Sequence, residues 1–576
     1  MSSSPSPAAK KSRSKPKSRA AGPAPDVAHE PKAAAGERPS GGRTFWPETA
    51  AGRKILPAVL AVAFLLRVYH ILEMFPILVD ESIYLRWAEI IDHQGRWFIS
   101  LLDGKQPLQY WLLAVLRMIS DGDPLLAARL LSVVAGLLST VALFALGKRL
   151  AGERAGLLAA GLYACLPYAL LYDRLAYTEA FVNLFGILIA YASIACFDSG
   201  DGSWRGSVVA GLALGLGLFT KQTVLLFAFF PALAGLWLWK RSKAGLLARL
   251  AVVYAIGFTF MAICWVAVPE APTLASHDMV LHHPGFFISP AELLAEPFEL
   301  VPGNASLLAS YIDSYLTWPL AIVALASVAF LAARGNAVGW VIFSLAALPL
   351  IVQVFLLKLM FPTRYPFPHL WPWLMVVALA AAEVWRNPPE WLRTAGRLKQ
   401  AAGLAVLVVG GPMLYQAGGM LVAPSRFLNA EEVKNFLGSG PHAGWGIREA
   451  IAYLSDEARK NGGFVLLADP IWGPPSDALF PYLNRKNGIT VHEAWWTQNS
   501  GTYPIFLNGK VELIKSHYER TSGGALDFTQ VERVFYVTDT NYYNRQAVHT
   551  RQPGAQLVAS FPKPNGRDSI DVYRMK

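Results

Sequence analysis

The chain has 576 residues and a net charge of +11, with 54% hydrophobic and 12% aromatic residues and a mean hydropathy of +0.34. Only 16% is charged, against about 25% in a typical soluble protein, which excludes an ordinary soluble enzyme and makes lipid the main solvent. Three cysteines (Cys165, Cys196 and Cys264) lie in or beside apolar segments without CxxC or Cys/His spacing, which argues against a disulfide framework or a structural zinc site.

Residues 1–54 carry eleven Lys and Arg and four Asp and Glu, so +7 of the charge sits in this stretch. The rest of it is Ser, Pro, Ala and Gly, which cannot bury a core and predicts a disordered basic tail. A nucleic-acid arm is one reading of KKSRSKPKSR (10–19). A cytoplasmic tail that touches anionic lipid and fixes orientation fits better, so no nucleic-acid partner is expected. No small-residue cleavage site marks it as a cleaved signal peptide.

Residues 55–423 then supply apolar runs of bilayer-spanning length. Spans are expected near 55–75, 125–148, 154–172, 177–197, 206–219, 223–239, 247–268, 311–332, 337–357, 370–385 and 402–422, about eleven in all. With the basic tail inside, the turns holding Lys148, Arg149 and Arg154, then Arg205, then Lys240, Arg241, Lys243 and Arg249, then Arg334, then Arg386, Arg393, Arg397 and Lys399 all fall on one side, as positive-inside orientation requires. The opposite side receives two long loops, 76–124 and 269–310, and everything after 423. In the first loop, ILVDESIYLRWAEIIDHQG reads as an amphipathic helix lying at the membrane interface. QPLQYWLLAVLRMI, after it, is too short and too near Lys105 to count as a span.

Residues 424–576 change character. REAIAYLSDEARKNG reads as a polar helix, and FVLLAD, VERVFYVTDT, QLVASF and IDVYRM read as strands, which makes a soluble α/β domain. No Gly-rich phosphate loop follows a strand.

The candidate chemical groups gather on the outer side. They are Asp80 and Glu81 in the first-loop helix, Arg86 one turn on, Lys105 in DGKQPLQYW, Arg174 and Glu179 in YDRLAYTEAF, Lys221 in GLFTKQT, His282 and His283 in the second loop, and Arg364 and Tyr365 in FPTRYPFPHLW. Taken singly, an acid at a helix start is a cap, a lysine near a membrane end snorkels, and Trp87, Trp111, Trp371 and Trp373 are aromatic-belt anchors. Their shared face is what argues for chemistry. A sugar carried on a lipid phosphate lies at this depth. Its transfer to a hydroxyl needs a carboxylate to take the proton and cations to hold the departing phosphate.

VDESIYLRWAE, then GKQPLQYWLLAVL, then ARLLSVVAGLLSTVALFALGKRL resembles the polyprenyl-phosphate-sugar-dependent GT-C glycosyltransferases, the superfamily of the protein O-mannosyltransferases and the lipid A aminoarabinose transferases. DRLAYTEAFVNLFGILIAYASI, GLGLFTKQTVLLF and FPTRYPFPHLWPWL extend the likeness over roughly residues 55–390. The resemblance implies a GT-C type polytopic α-helical membrane protein with a C-terminal soluble α/β domain. It implies that Asp80 is the catalytic base with Glu81 beside it, that Lys105, Arg364 and Tyr365 hold the donor phosphate, and that Glu179 is the acid on the fourth helix. The sequence departs from the aminoarabinose transferases at Ile83, where they have Arg, at Gln106 before Pro107, and at Glu179, where Asp is commoner.

The expected function is transfer of a sugar from a polyprenyl-phosphate donor to an acceptor (lipid A, another glycolipid, a polysaccharide or a protein) at the outer face of the plasma membrane, with inversion. No cofactor is implied, and a divalent metal stays open. A transporter or flippase of lipid or solute is the alternative, but such proteins place ionisable groups near mid-membrane within repeated halves, and no repeat is evident here.

Overall fold

The structure is a computed structural model that describes residues 46–198, 204–239, 245–267, 288–358, 363–469, 473–493 and 531–575. Most of the predicted tail, Lys240, Arg241 and Lys243, and both His282 and His283 lie outside the described residues.

Helices occur at every predicted span, but many are shorter or more broken than expected. Among the described residues, six are long and apolar enough to cross a bilayer: Pro124–Ala151, Glu179–Asp198, Leu246–Val266, Val338–Leu356, Phe367–Arg386 and Ala395–Val422. The span expected at 311–332 is instead a bent pair, Val301–Leu316 and Trp318–Ala333, meeting at 102°. The bend falls at Thr317, whose φ of 71° is a region that β-branched residues rarely adopt. The pair expected at 206–239 forms as Trp204–Leu218 and the broken Gln222–Trp237, both short, because Lys221 interrupts the apolar run. Trp204–Leu218 packs along Leu246–Val266 through Gly211 and Gly215. A Cβ at Gly211 would lie 2.8 Å from Ile256 Cβ and 3.0 Å from the Val253 carbonyl oxygen, so only a small residue allows this approach.

The first loop departs most from expectation. Its helix, Val79–Gln94, forms as predicted and stops at Gly95 in the left-handed region (φ 66°). It does not lie open on a membrane surface: every residue from Glu81 to Ile91 is buried. Helix Leu108–Ile119 covers one side, and Ser476–Leu483 from the C-terminal region covers another. Strand β1 (Ile77–Leu78) enters this helix and pairs antiparallel with β2 (Ala443–Gly444). The C-terminal region therefore folds onto the first loop, and Gly41–Lys576 forms one compact unit.

The rest of the C-terminal region is a five-stranded mixed sheet. Its strands are β3 (Val465–Ala468), β4 (Thr490–Glu493), β5 (Val534–Asp539), β6 (Gln556–Pro562) and β7 (Ser569–Arg574), in the order β4-β3-β5-β7-β6. The strands β3, β4 and β5 run parallel, and β7 turns the sheet antiparallel. Four of the five match the predicted runs. The fifth, β4, is four residues of mixed polarity, too short for an alternation signal.

Buried ion pairs tie the helices together. Arg67 and Asp173 meet at 2.9 Å, both fully buried, with Tyr163 donating to the same carboxylate at 3.0 Å. Glu81 and Arg129 form a two-pronged pair at 2.6 and 2.8 Å. Glu81 also accepts the backbone N–H groups of Leu78 at 3.1 Å and Ala176 at 2.9 Å, and Arg129 bonds the carbonyls of Phe75 and Pro76. This pair joins the first-loop helix to helix Pro124–Ala151 and to the chain before Glu179. Removing one partner strands a buried charge, so Glu81→Gln and Arg129→Met should each destabilise the purified protein by about 3–5 kcal/mol. Thermal unfolding in detergent checks this, and unchanged unfolding temperatures for both variants would contradict it.

Candidate active site at the first-loop helix

The site is assembled from five separate chain segments. Asp80 sits in the first turn of helix Val79–Gln94. The helix is capped by Glu81 through the Leu78 N–H, which leaves the Asp80 carboxylate available for side-chain partners. Lys105 Nζ lies 3.3 Å from Asp80 Oδ1, and Arg364 Nη1 donates to Oδ2. Lys105 also pairs with Asp103 at 3.0 Å, across a turn that Gly104 makes in the left-handed region (φ 68°). On the far side, Arg364 Nε is 3.8 Å from Glu179 Oε1, and Lys221 Nζ donates to that same oxygen at 2.5 Å.

The result is an alternating row, Asp103–Lys105–Asp80–Arg364–Glu179–Lys221, of three acids and three bases. Aromatic faces frame the cations. Lys105 lies 5.3 Å from the Tyr84 ring and 5.4 Å from Trp87, Arg364 lies 5.5 Å from both Tyr177 and Tyr365, and Lys221 lies 5.1 Å from Tyr365. Such contacts favour a charge that has lost part of its water.

Burial pushes the Asp80 carboxyl up, but the Arg364 and Lys105 charges overcome this and hold it well below the usual carboxylate range. Lys105 is pulled down by burial and raised more strongly by Asp103 and Asp80, so it stays charged. Burial wins at Asp103, whose carboxyl is raised although Lys105 opposes the shift.

Beside the row is a cavity of about 310 Å³. Lys105, Gln106, Lys221, Arg364 and Tyr365 are among its polar lining, and Leu225, Leu226, Val352 and Leu357 among its apolar lining. Nearby on helix Val338–Leu356, Leu348 and Ile351 are exposed, so an apolar surface continues away from the cavity. Its cations can hold an anion, and its apolar lining suits a hydrocarbon chain.

Five of the candidates are thus brought together: Asp80, Lys105, Glu179, Lys221 and Arg364, with Tyr365 against them. Glu81 is not with them, being fully enclosed by Arg129 and two backbone amides. Arg86 contacts Glu89 and lies 3.4 Å from the Phe480 ring. Arg174 bonds the Tyr69 carbonyl and the Met74 sulfur. Trp87, Trp371 and Trp373 are buried, not belt residues; the exposed tryptophans include Trp204, Trp318, Trp340 and Trp391. The sequence reading missed Asp103, Tyr84 and Tyr177. A signal existed for Asp103 alone, as the acid of the Asp-Gly-Lys turn. Among the described residues, no group of three or more His, Cys, Asp or Glu side chains is placed to hold a metal ion.

The linkage has a definite sign. A carboxylate with a depressed folded pKa contributes stability above its unfolded value of about 3.9, and loses it as pH falls through the lower folded value. Asp80→Asn should therefore lower the unfolding temperature by a constant amount from pH 8 to about pH 5, with the gap closing only in stronger acid. A gap that closes between pH 7 and 5 would contradict the pairing.

Comparison with known proteins follows the same lines. Residues 104–268 match the family model described as dolichyl-phosphate-mannose-protein mannosyltransferase. No sequence among curated proteins matches the chain. The fold is similar to the crystal structure of ArnT from Cupriavidus metallidurans bound to undecaprenyl phosphate, with a TM-score of 0.58 and 15% identity over 91% of this chain and 98% of that one. The apo state of the same protein gives 0.57 and 14% over 92% and 99%. The archaeal oligosaccharyltransferase AglB from Archaeoglobus fulgidus, in complex with an inhibitory peptide and a dolichol-phosphate, gives 0.50 and 13% over 91% and 74%. The chain is accordingly a polytopic membrane protein with the GT-C glycosyltransferase fold and a C-terminal α/β region.

Proposed function

We propose that this protein is an inverting glycosyltransferase that moves a sugar from a polyprenyl-phosphate donor to an acceptor hydroxyl at the outer face of the plasma membrane. One observation carries the reading: Asp80 is held between Lys105 and Arg364, two cations that line a cavity with apolar residues in its wall. The solved relatives with undecaprenyl phosphate and dolichol-phosphate bound support the donor class.

The row of charges suggests how donor binding prepares the base. In the free protein, two cations make Asp80 a weak base. A phosphodiester entering the cavity competes for both, since charge-assisted bonds to phosphate oxygens match those to a carboxylate. With Lys105 and Arg364 turned to phosphate, Asp80 is less neutralised and more basic. The acceptor oxygen then attacks the anomeric carbon, its proton passes to Asp80, and the bond from that carbon to the phosphate oxygen breaks. The polyprenyl phosphate leaves with the bonding pair, and Lys105 and Arg364 stabilise the added negative charge. Tyr365 and Lys221 complete the cation side, and Glu179 holds Lys221 and Arg364 in place. Glu81 acts in this reading as a strut for the helix, not as a second base.

The placement of the two ends supports the orientation read from the loops. Helix Pro124–Ala151 carries Asp123 at its start, bonded to Arg448 and Tyr482 of the C-terminal region. Lys148, about 38 Å along the same helix, pairs with Glu48. The C-terminal region and the site share one end, and the predicted cytoplasmic turns share the other. The acceptor class is glycolipid, polysaccharide or protein.

Two outcomes test this. Asp80→Asn should lower turnover at least ~100-fold while the protein inserts normally. Lys105→Met, which keeps the apolar stem, should cost about 2–4 kcal/mol of transition-state stabilisation and weaken donor binding. Near-normal kinetics in either would remove that residue from its role. For orientation, an impermeant thiol reagent on intact cells should label a cysteine at exposed Arg567 and spare one at exposed Arg393. The reverse pattern would overturn the orientation.

A further inference from the structure

Glu432 is a carboxyl almost wholly enclosed, with 3% of its surface exposed. It ends the short helix Ala430–Glu432, in the segment that leads from the last apolar helix, Gly411–Val422, into the C-terminal region. Among the described residues, its side-chain hydrogen bonds come from neutral groups. Its partners are two phenols. Tyr172 donates to Oε1 at 3.2 Å and Tyr315 donates to Oε2 at 2.8 Å. The Asn429 N–H donates to the Tyr315 oxygen at 2.9 Å, so that phenol's own proton is directed at the carboxyl. Tyr172 also contacts the hydroxyl of Thr363. The two hydroxyls share one hydrogen bond, which joins Thr363 to the pair formed by Tyr172 and Glu432.

Thr363 is fully buried, and the next residue is Arg364. The ordered row Thr363–Tyr172–Glu432 thus anchors the backbone from which Arg364 reaches Asp80. The aromatic packing leaves this row little play: Tyr172 stacks on Phe367 at 5.5 Å and Tyr168 lies 4.6 Å from Tyr315. Phe436, one turn beyond Glu432, meets Tyr177 edge-on at 6.2 Å, and Tyr177 is one of the rings framing Arg364. Two contacts from one short segment therefore converge on the same guanidinium. Packing alone would be served by an apolar side chain at 432; a carboxyl adds two polar atoms that tie Tyr172 and Tyr315 to one point.

We propose that Glu432 is a positioning residue for Arg364, acting through Tyr172 and Thr363, so that the segment entering the C-terminal region sets the grip of the donor-phosphate site. This rests on the reading of Arg364 as a phosphate ligand given above. It gives the C-terminal region a part in donor binding without a side chain of its own in the cavity.

The full-length protein in detergent tests it, with undecaprenyl phosphate as the probe and thermal unfolding measured alongside. Glu432→Met and Tyr172→Phe should each weaken binding about 10-fold or more. Glu432→Gln, whose amide oxygen still accepts from one phenol, should stay within about 3-fold of wild type. Tyr172→Phe removes one hydroxyl and keeps the ring, so it decides the matter where Glu432→Met fails to fold. Its unfolding temperature should stay close to wild type while its affinity falls, a separation that a merely structural role would not produce. Wild-type binding by a normally folded Tyr172→Phe overturns the proposal and leaves the donor reading intact, whereas a wild-type protein that binds no polyprenyl phosphate overturns both.

Discussion

A half-buried carboxylate beside a cavity needs cations, and the sequence brings them from far away. Asp80 takes Lys105 from the end of the first loop and Arg364 from the turn before a late helix. Most other features of this end of the fold serve this contact. The Asp103–Gly104–Lys105 turn aims one cation, and Glu179 with Lys221 braces the other. The row is balanced in charge, which lets six ionisable groups share a partly dehydrated space. It is also poised, because an anion that displaces the carboxylate from either cation changes the basicity of Asp80.

The first-loop helix holds its place through contacts that do not belong to the row. Glu81 and Arg129 lock its start to helix Pro124–Ala151 and to the chain before Glu179. Strand β2 and helix Ser476–Leu483 close over it from the C-terminal region. Adjacent acids in one turn therefore have opposite surroundings. Glu81 is saturated by one guanidinium and two amides and has nothing left to offer a substrate. Asp80 is held by flexible side chains that a ligand can draw away.

Much of this was legible in the sequence. Apolar run lengths located the helices, and alternating runs marked four of the five strands in the sheet. The charged residues with few partners near their own segment (Asp80, Lys105, Lys221, Arg364) proved to meet in space. Other features depended on contacts that no local pattern encodes. The first-loop helix has the amphipathic look of an interfacial element, but its second face is covered by chain some 400 residues later. The break at Thr317 leaves no Gly or Pro signal at the bend residue itself. Glu81 looked like a twin of Asp80 because its partner, Arg129, lies 48 residues away on another helix. Glu432 carries no local signal, since two adjacent acids, Glu431 and Glu432, after the last span read as an exposed helix start.

The most direct measurement is the fate of a labelled polyprenyl-phosphate sugar given to the purified protein with a cell-envelope extract as acceptor. The account predicts saturable binding of the lipid, competition by the sugar-free polyprenyl phosphate, and appearance of the label on an acceptor with the anomeric configuration inverted. Retention of the label on the lipid, with the intact molecule moved across a reconstituted bilayer, would contradict it and make the protein a transporter.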